Sequence, residues 1–250
     1  ETDSIIFEPN DPNNTSGSGW QGVKFRDNSW DYTHKVELSY FRISYAGGNW
    51  PSGALVIYNK QSNNSGVDSV MISHGEIHGS SQIGVNIRDN RRHTTYGLSG
   101  TKPYFHLSNL NVHNNGQQGI RVEYNYEVEI KMDSLNVHNN NQTGVDLSYN
   151  YDNSMISIDS LRSANNNGQG LNVYRLDSGS KLKVKNGDVH TNSSNEVEVR
   201  YLEDPQNFSM RNSKIVRDNQ NDYAVYAYDC CDNNDDLSST LDFRLNNWGS

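Results

Sequence analysis

The sequence predicts an all-β solenoid, a parallel β-helix of about eight coils. Three observations predict it. A heptapeptide returns along the whole chain, most of its copies alternate apolar and polar residues, and the stretches between copies are dominated by asparagine and helix-poor.

Aligned on glycine, the heptapeptide reads GVKFRDN from Gly22, GALVIYN from Gly53, GVNIRDN from Gly84, GIRVEYN from Gly119 and GVDLSYN from Gly144. It continues as GLNVYRL from Gly170, EVEVRYL from Glu196 and YAVYAYD from Tyr223, in steps of 31, 31, 35, 25, 26, 26 and 27 residues. Self-similarity at such a period marks repeat architectures. Period-two alternation marks a half-buried strand, so Val145 and Leu147 are expected to face in and Asp146 and Ser148 out. A second strand precedes several copies, as LNVH at 110–113 and again at 135–138, and a short third strand fits before it, as VEIKM at 128–132 and MISI at 155–158.

A coil of about 25 residues cannot bury its own apolar face, so copies must stack, each pairing its backbone with the next at about 4.8 Å. Ile120, Val145 and Leu171 are then expected to lie over one another. Between strands sit NNGQQ, NNNQT and NNNGQ. Asn tolerates left-handed backbone, and its amide both donates and accepts. Asn115, Asn140, Asn166, Asn192 and Asn219 are therefore expected to form a ladder, one per coil. One domain, 1–250, follows, expected to be part of a longer solenoid because ETDSIIFEPN reads as mid-protein sequence.

Composition agrees. Only 33% of residues are hydrophobic, mean hydropathy is −0.87, and Asn occurs 36 times in 250 residues, as suits a thin core under much surface. A net charge of −9 and a pI near 5.3 exclude a nucleic-acid backbone as the expected partner, which would want a basic stripe. No apolar run reaches the roughly 18 residues of a membrane span, so no membrane insertion is expected in this segment. Cys230 and Cys231 are adjacent; a vicinal disulfide is strained, and two thiols or outside pairing are the alternatives. Sequons at Asn13, Asn14, Asn63, Asn141, Asn192 and Asn207 permit an extracellular setting, with Asn63, Asn141, Asn192 and Asn207 the glycosylation candidates.

GWQGVKF at 19–25, followed by VELSYFRISYAGG at 36–48, resembles the opening of right-handed parallel β-helix repeats in the pectin-lyase-like superfamily. LDFRLNNWG at 241–249 resembles the small-Asn-Trp-Gly signature of such repeats in large cell-surface proteins of the bark beetle type. The resemblance covers essentially the whole chain. It implies a right-handed helix and an extracellular scaffold, adhesion or binding module. No catalytic set and no cofactor come with it.

Four features carry candidate chemistry. Arg121, Glu123 and Asp146 sit on outward positions of adjacent coils. One rung and two residues separate the carboxyls, on the order of 8 Å, a spacing suited to an inverting glycosidase. A secreted polysaccharide lyase or hydrolase acting on acidic polysaccharide is the alternative function, with Arg88 or Arg121 as base and calcium as a lyase's metal. His78, His113, His138 and His190 form a column interrupted at Ala164; with no carboxylate in the column, a hydrogen-bonded rather than metal-binding role is expected. Tyr58, Tyr124, Tyr149, Tyr174, Tyr201 and Tyr228 recur near the ends of the heptapeptides, with Tyr126 and Tyr151 following; they either stack for stability or recognise protein or sugar. Finally, insertions at 45–53 and 90–104 lengthen early coils. The second carries Arg91, Arg92, His93 and Lys102, a candidate site for an acidic partner. The binding candidates are Tyr124, Tyr149, Tyr174, Arg91, Arg92 and Lys102. Expected partners are an extracellular protein or carbohydrate, with end-to-end self-association through unpaired end rungs as a third reading.

Overall fold

The structure, a computed structural model, describes residues 4–11, 20–26, 35–47, 52–62, 69–92, 101–177, 179–202, 207–217, 223–228, 243 and 246–248. Asn63, Asn219, His93, Cys230 and Cys231 lie outside them.

The chain is a parallel β-helix. One sheet stacks β1 (Ile5–Phe7), β3 (Lys35–Ser44), β6 (Ser69–His78), β9 (Tyr104–His113), β11 (Glu129–His138) and β13 (Met155–Ala164). Above β13 it divides into β15 (Lys181–Lys185) beside β16 (Asp188–His190), then β18 (Phe208–Arg211) beside β19 (Lys214–Val216), and ends on β21 (Asn247–Trp248). The other sheet stacks the heptapeptides: β2 (Val23–Arg26), β4 (Leu55–Tyr58), β7 (Val85–Arg88), β10 (Ile120–Tyr126), β12 (Val145–Tyr151), β14 (Leu171–Leu176), β17 (Val197–Leu202) and β20 (Val225–Tyr228). Every pairing is parallel. Ile120 pairs with Val145 and Val145 with Leu171, as the stacking argument requires.

The expected third strand is continuous with the second in the middle coils. VEIKM and LNVH are two halves of β11, hinged at Ser134 in left-handed backbone (φ 53), and β9 and β13 bend likewise at Asn109 (φ 53) and Ser160 (φ 59). A single left-handed residue turns the corner of the coil without breaking the ladder. The two sheets' inward residues, among them Ile87, Val122, Leu147, Val173, Phe105, Ile130 and Val184, form one buried core down the axis.

Two heptapeptides sit one residue away from the glycine alignment. Val85 pairs with Leu55, so Ala54, not Gly53, holds the glycine place in the second coil. Val197 pairs with Val225, so Ala224 rather than Tyr223 holds it in the eighth. In GALVIYN this shift turns Leu55 and Ile57 inward in place of the smaller Ala54 and Val56; a one-residue slip exchanges the faces, and the larger pair wins the core.

The asparagine ladder forms. Nδ2 of Asn115 donates to Oδ1 of Asn140 at 2.9 Å, Asn140 to Asn166 at 3.0 Å and Asn166 to Asn192 at 3.0 Å, all buried. Glycine at these positions has its reason here: a Cβ on Gly119 would come within 2.7 Å of Asn140 Nδ2. A second ladder at the far corner, not foreseen, joins Asn90 to Asn125 at 2.9 Å and Asn125 to Asn150 at 3.2 Å. It was written in the sequence as the Asn closing GVNIRDN, GIRVEYN and GVDLSYN. Ser154 and Ser180 make a third, shorter ladder, each hydroxyl accepting a backbone N–H from the coil before.

Candidate binding face

The corner that ends each heptapeptide gathers the tyrosines. Tyr124, Tyr149 and Tyr201 adopt left-handed backbone (φ 53, 56 and 52), which swings their rings off the sheet and into an axial column. Tyr124 stacks on Tyr149 with centroids 5.0 Å apart and planes 10° from parallel. Tyr149 meets Tyr174 edge-on at 5.1 Å, and Tyr174 meets Tyr201 edge-on at 4.9 Å. Beside this column Tyr126 stacks on Tyr151 at 5.0 Å. Arg88 lies over Tyr124 and Arg175 over Tyr151, 5.9 and 5.8 Å from the ring centres. A hydrogen bond with Tyr174 pushes the Tyr149 hydroxyl above the usual phenol range. Burial does the same to Tyr151, with Arg175 pulling it back. The rings therefore stabilise one another and also present a half-exposed surface of phenol hydroxyls and ring edges. By register Tyr58 and Tyr174 share the neighbouring column, opposite Arg88 and Ser148 respectively; the Tyr174 ring nevertheless reaches Tyr149 and Tyr201, whereas that of Tyr58 is covered by Arg26 at 5.3 Å. Tyr228 likewise falls opposite Arg200, not opposite Tyr201.

Next to the tyrosines, the outward face of the heptapeptide sheet holds a buried ionic lattice. Arg121 reaches Glu123 at 2.8 Å and Asp146 at 3.4 Å, and Arg88 reaches Glu123 at 3.2 Å. Ser148 and Asn172 donate to Asp146 at 2.6 and 2.8 Å. One coil on, Gln169 and Asn195 both donate to Glu198 at 2.9 Å, and Arg200 pairs with it. Burial raises the Glu123 carboxyl above its ordinary range, against the pull of Arg121 and then Arg88. The register places Glu123 and Asp146 one rung and two residues apart, the diagonal the sequence suggested. A guanidinium fills the space between them that an inverting hydrolase would give to water and substrate.

The histidine column stands on the outer face of the first sheet. His78 stacks on His113 at 5.2 Å and His113 on His138 at 4.9 Å, with planes within 8° of parallel. Rings stacked face to face send their nitrogen lone pairs out in parallel, not toward a shared centre. Among the described residues no group of three or more His, Cys, Asp or Glu is placed to hold a metal. A carboxylate reaches the column from beside it: Glu76, two residues before His78 on β6, meets Nε2 of His113 at 3.0 Å. It belongs to the neighbouring outward column, which the alignment on single residues did not connect. Burial lowers both His78 and His138; for His138 the nearby His113 adds to it.

The basic loop is partly neutralised where described. Arg92 pairs with Glu127 at 3.2 Å, and Lys102 donates to the backbone oxygen of Asn153 at 2.6 Å; Arg91 extends the ladder through backbone pairing with Tyr126. The structure thus brings Tyr124, Tyr149 and Tyr174 together, and sets Arg91 beside the flanking Tyr126 while Arg92 and Lys102 are held by Glu127 and Asn153. Of the sequons, Asn141 is exposed and Asn207 half-buried. Asn192 is 4% exposed, and its Nδ2 donates to the backbone oxygens of Ser163 and His190 and to Glu196, so a glycan there would require breaking the ladder.

No protein-family model, curated protein or solved structure matches the chain.

Proposed function

We propose that this chain is a non-enzymatic scaffold acting outside the cell, a stiff β-helical module that binds a protein or glycan partner along its tyrosine corner. The observation that supports it is the column Tyr124, Tyr149, Tyr174 and Tyr201 on successive coils, flanked by Tyr126 and Tyr151 and edged by Arg88 and Arg175. Tyrosine is stiff and amphipathic, so it contributes contact area at small entropic cost. Hydroxyls repeating at the rung spacing suit a partner that is itself periodic. On this reading the chain is a cell-surface β-helix of the pectin-lyase-like kind, with Asn141 and Asn207 open to glycosylation. Arg121, Glu123 and Asp146 act as a lattice that stiffens the face and not as a catalytic set.

The test compares the wild-type chain with the triple variant Tyr124→Ala, Tyr149→Ala and Tyr174→Ala on an array of neutral and acidic glycans and on immobilised extracellular-matrix proteins. Binding by wild type that the variant loses supports the proposal. Equal binding by both removes the tyrosine corner from it. Appearance of unsaturated product or new reducing ends from an acidic polysaccharide would restore the lyase or hydrolase reading.

A further inference from the structure

We propose that the outer face of β15 is a docking strip for a linear polyanionic carbohydrate, independent of the tyrosine corner. In KLKVK, Leu182 and Val184 enter the core while Lys181, Lys183 and Lys185 all stand exposed on one face. Alternate residues of a strand lie about 6.7 Å apart, so the three ammonium groups rise from a straight line on a flat sheet. On the next rung Arg211 is in register with Lys185, and Ser209 with Lys183.

The pairing state sets this row apart. Several exposed cations of the described surface are matched to the chain's own carboxylates: Lys35 to Glu37 at 2.6 Å, Lys131 to Asp133 at 2.9 Å and Arg175 to Asp177 at 2.6 Å. The chain carries 30 Asp and Glu against 21 Lys and Arg, so partners abound. Yet Lys181, Lys183 and Lys185 have no such partner among the described residues. Asp159, in register with Lys185, is engaged instead by Asn186 at 2.7 Å and by Ser160 at 3.3 Å. A row of cations with no carboxylate partner among the described residues is, in an acidic chain, a local attractor for a polyanion.

Its width selects the partner. The row is one strand wide. Glu129, Asp133 and Asp159 stand on the two rungs before it, and Asp188 follows it along the chain. A planar anionic bilayer would be pressed against those carboxylates as well. A single extended chain laid along β15 meets the lysines alone. The row carries no aromatic ring on which a nucleobase could stack, whereas Ser157 and Ser209 on either side offer hydroxyls to sugar hydroxyls.

The experiment measures the salt at which the whole chain elutes from immobilised heparin, and its affinity for soluble heparin and polygalacturonate. Taking a factor of about five per lysine near an anionic surface, the variant Lys181→Gln, Lys183→Gln and Lys185→Gln binds about a hundredfold more weakly. Its melting temperature is unchanged, because the side chains are exposed. Lys35→Gln, whose lysine is already paired to Glu37, binds as wild type does. The lysine variant leaves the tyrosine corner intact, so a loss in that variant tests β15 apart from the tyrosine reading. Equal affinity of the triple variant, absence of wild-type binding at low salt, or binding to phosphatidylserine vesicles in preference to either glycan would each overturn the proposal.

Discussion

Replacing Asn166 by alanine removes one rung from the middle of the ladder. Oδ1 of Asn166 accepts from the backbone N of Asn140 at 3.1 Å and from its Nδ2 at 3.0 Å; its own Nδ2 donates to Asn192 Oδ1 at 3.0 Å and Val137 O at 3.2 Å. Some partners have a fallback. Asn140 Nδ2 keeps Val112 O, and Asn192 Oδ1 keeps the backbone N of residue 166. The backbone N–H of Asn140 has none and stays buried without an acceptor. An orphaned buried group costs about 1–3 kcal/mol, and each lost neutral bond about 1 kcal/mol net. The expected loss is about 3–4 kcal/mol, which for a chain this long lowers the melting temperature by roughly 6–16 °C. Urea unfolding followed by far-ultraviolet circular dichroism measures it, as a midpoint lowered by on the order of 1 M. The control is Asn167→Ala, one residue away but exposed and held only by a 3.4 Å contact to Asn141, with an expected loss under about 0.5 kcal/mol. Equal losses for the two variants, or a loss under about 1 kcal/mol for Asn166→Ala, would refute the claim that the buried amides hold the coils together.

Glu196→Gln keeps the shape of a side chain that accepts from Asn192 N and Nδ2 at 3.2 and 2.5 Å but turns one acceptor into a donor; thermal unfolding should register a loss of about 1–2 kcal/mol. Arg121→Gln leaves Glu123 with Arg88 and Asp146 with neutral donors only, and denaturant titration should give a loss of about 1–3 kcal/mol. His78 and His138 are lowered in the folded state, so the unfolded chain takes up their protons first. Their contribution is complete above about pH 6.5 and is lost as pH falls through the lowered values. Melting curves from pH 7.5 to 5 should show that fall, and His78→Gln with His138→Gln should flatten it.

What the sequence disclosed was whatever repeats. The glycine-led heptapeptide is a strand with alternating faces, and both its stacking partner and its inward residues could be read from Ile120, Val145 and Leu171 alone. Asparagines in equal places in the turn gave the first ladder. What escaped depends on two coils meeting, or on a competition between faces. The slip at Gly53 turned on Leu55 and Ile57 outweighing Ala54 and Val56, a difference of packing that a glycine alignment ignores. The tyrosine column needed left-handed backbone at Tyr124 and Tyr149, a conformation more usual for Gly or Asn. The contact between Glu76 and His113 joins residues on different coils and different columns. The lysine row of β15 is plain in KLKVK, but that its lysines lack carboxylate partners among the described residues, where Lys131 and Arg175 have them, is visible only in the fold.

The ladder also has a direction, fixed by atoms that cannot be exchanged. A backbone N–H can only donate, so those of Asn115, Asn140 and Asn166 force the next amide to turn its oxygen toward them and its nitrogen onward. Aligned amides sum, as peptide units do in a helix, and the positive end of this row lies at Asn192. The residue waiting there is Glu196, 2% exposed, standing in the very column held by Gly84, Gly119, Gly144 and Gly170. In those coils glycine is required because the next coil's asparagine lies over it. At Asn192 the amide is met by a carboxylate, that of Glu196. An anion there faces the positive end of the dipole row and accepts from two donors, a favourable arrangement of charge. Of the residues that replace glycine in this column, Ala54 and Ala224 are small, whereas Glu196 is charged and is bonded to the amide of Asn192.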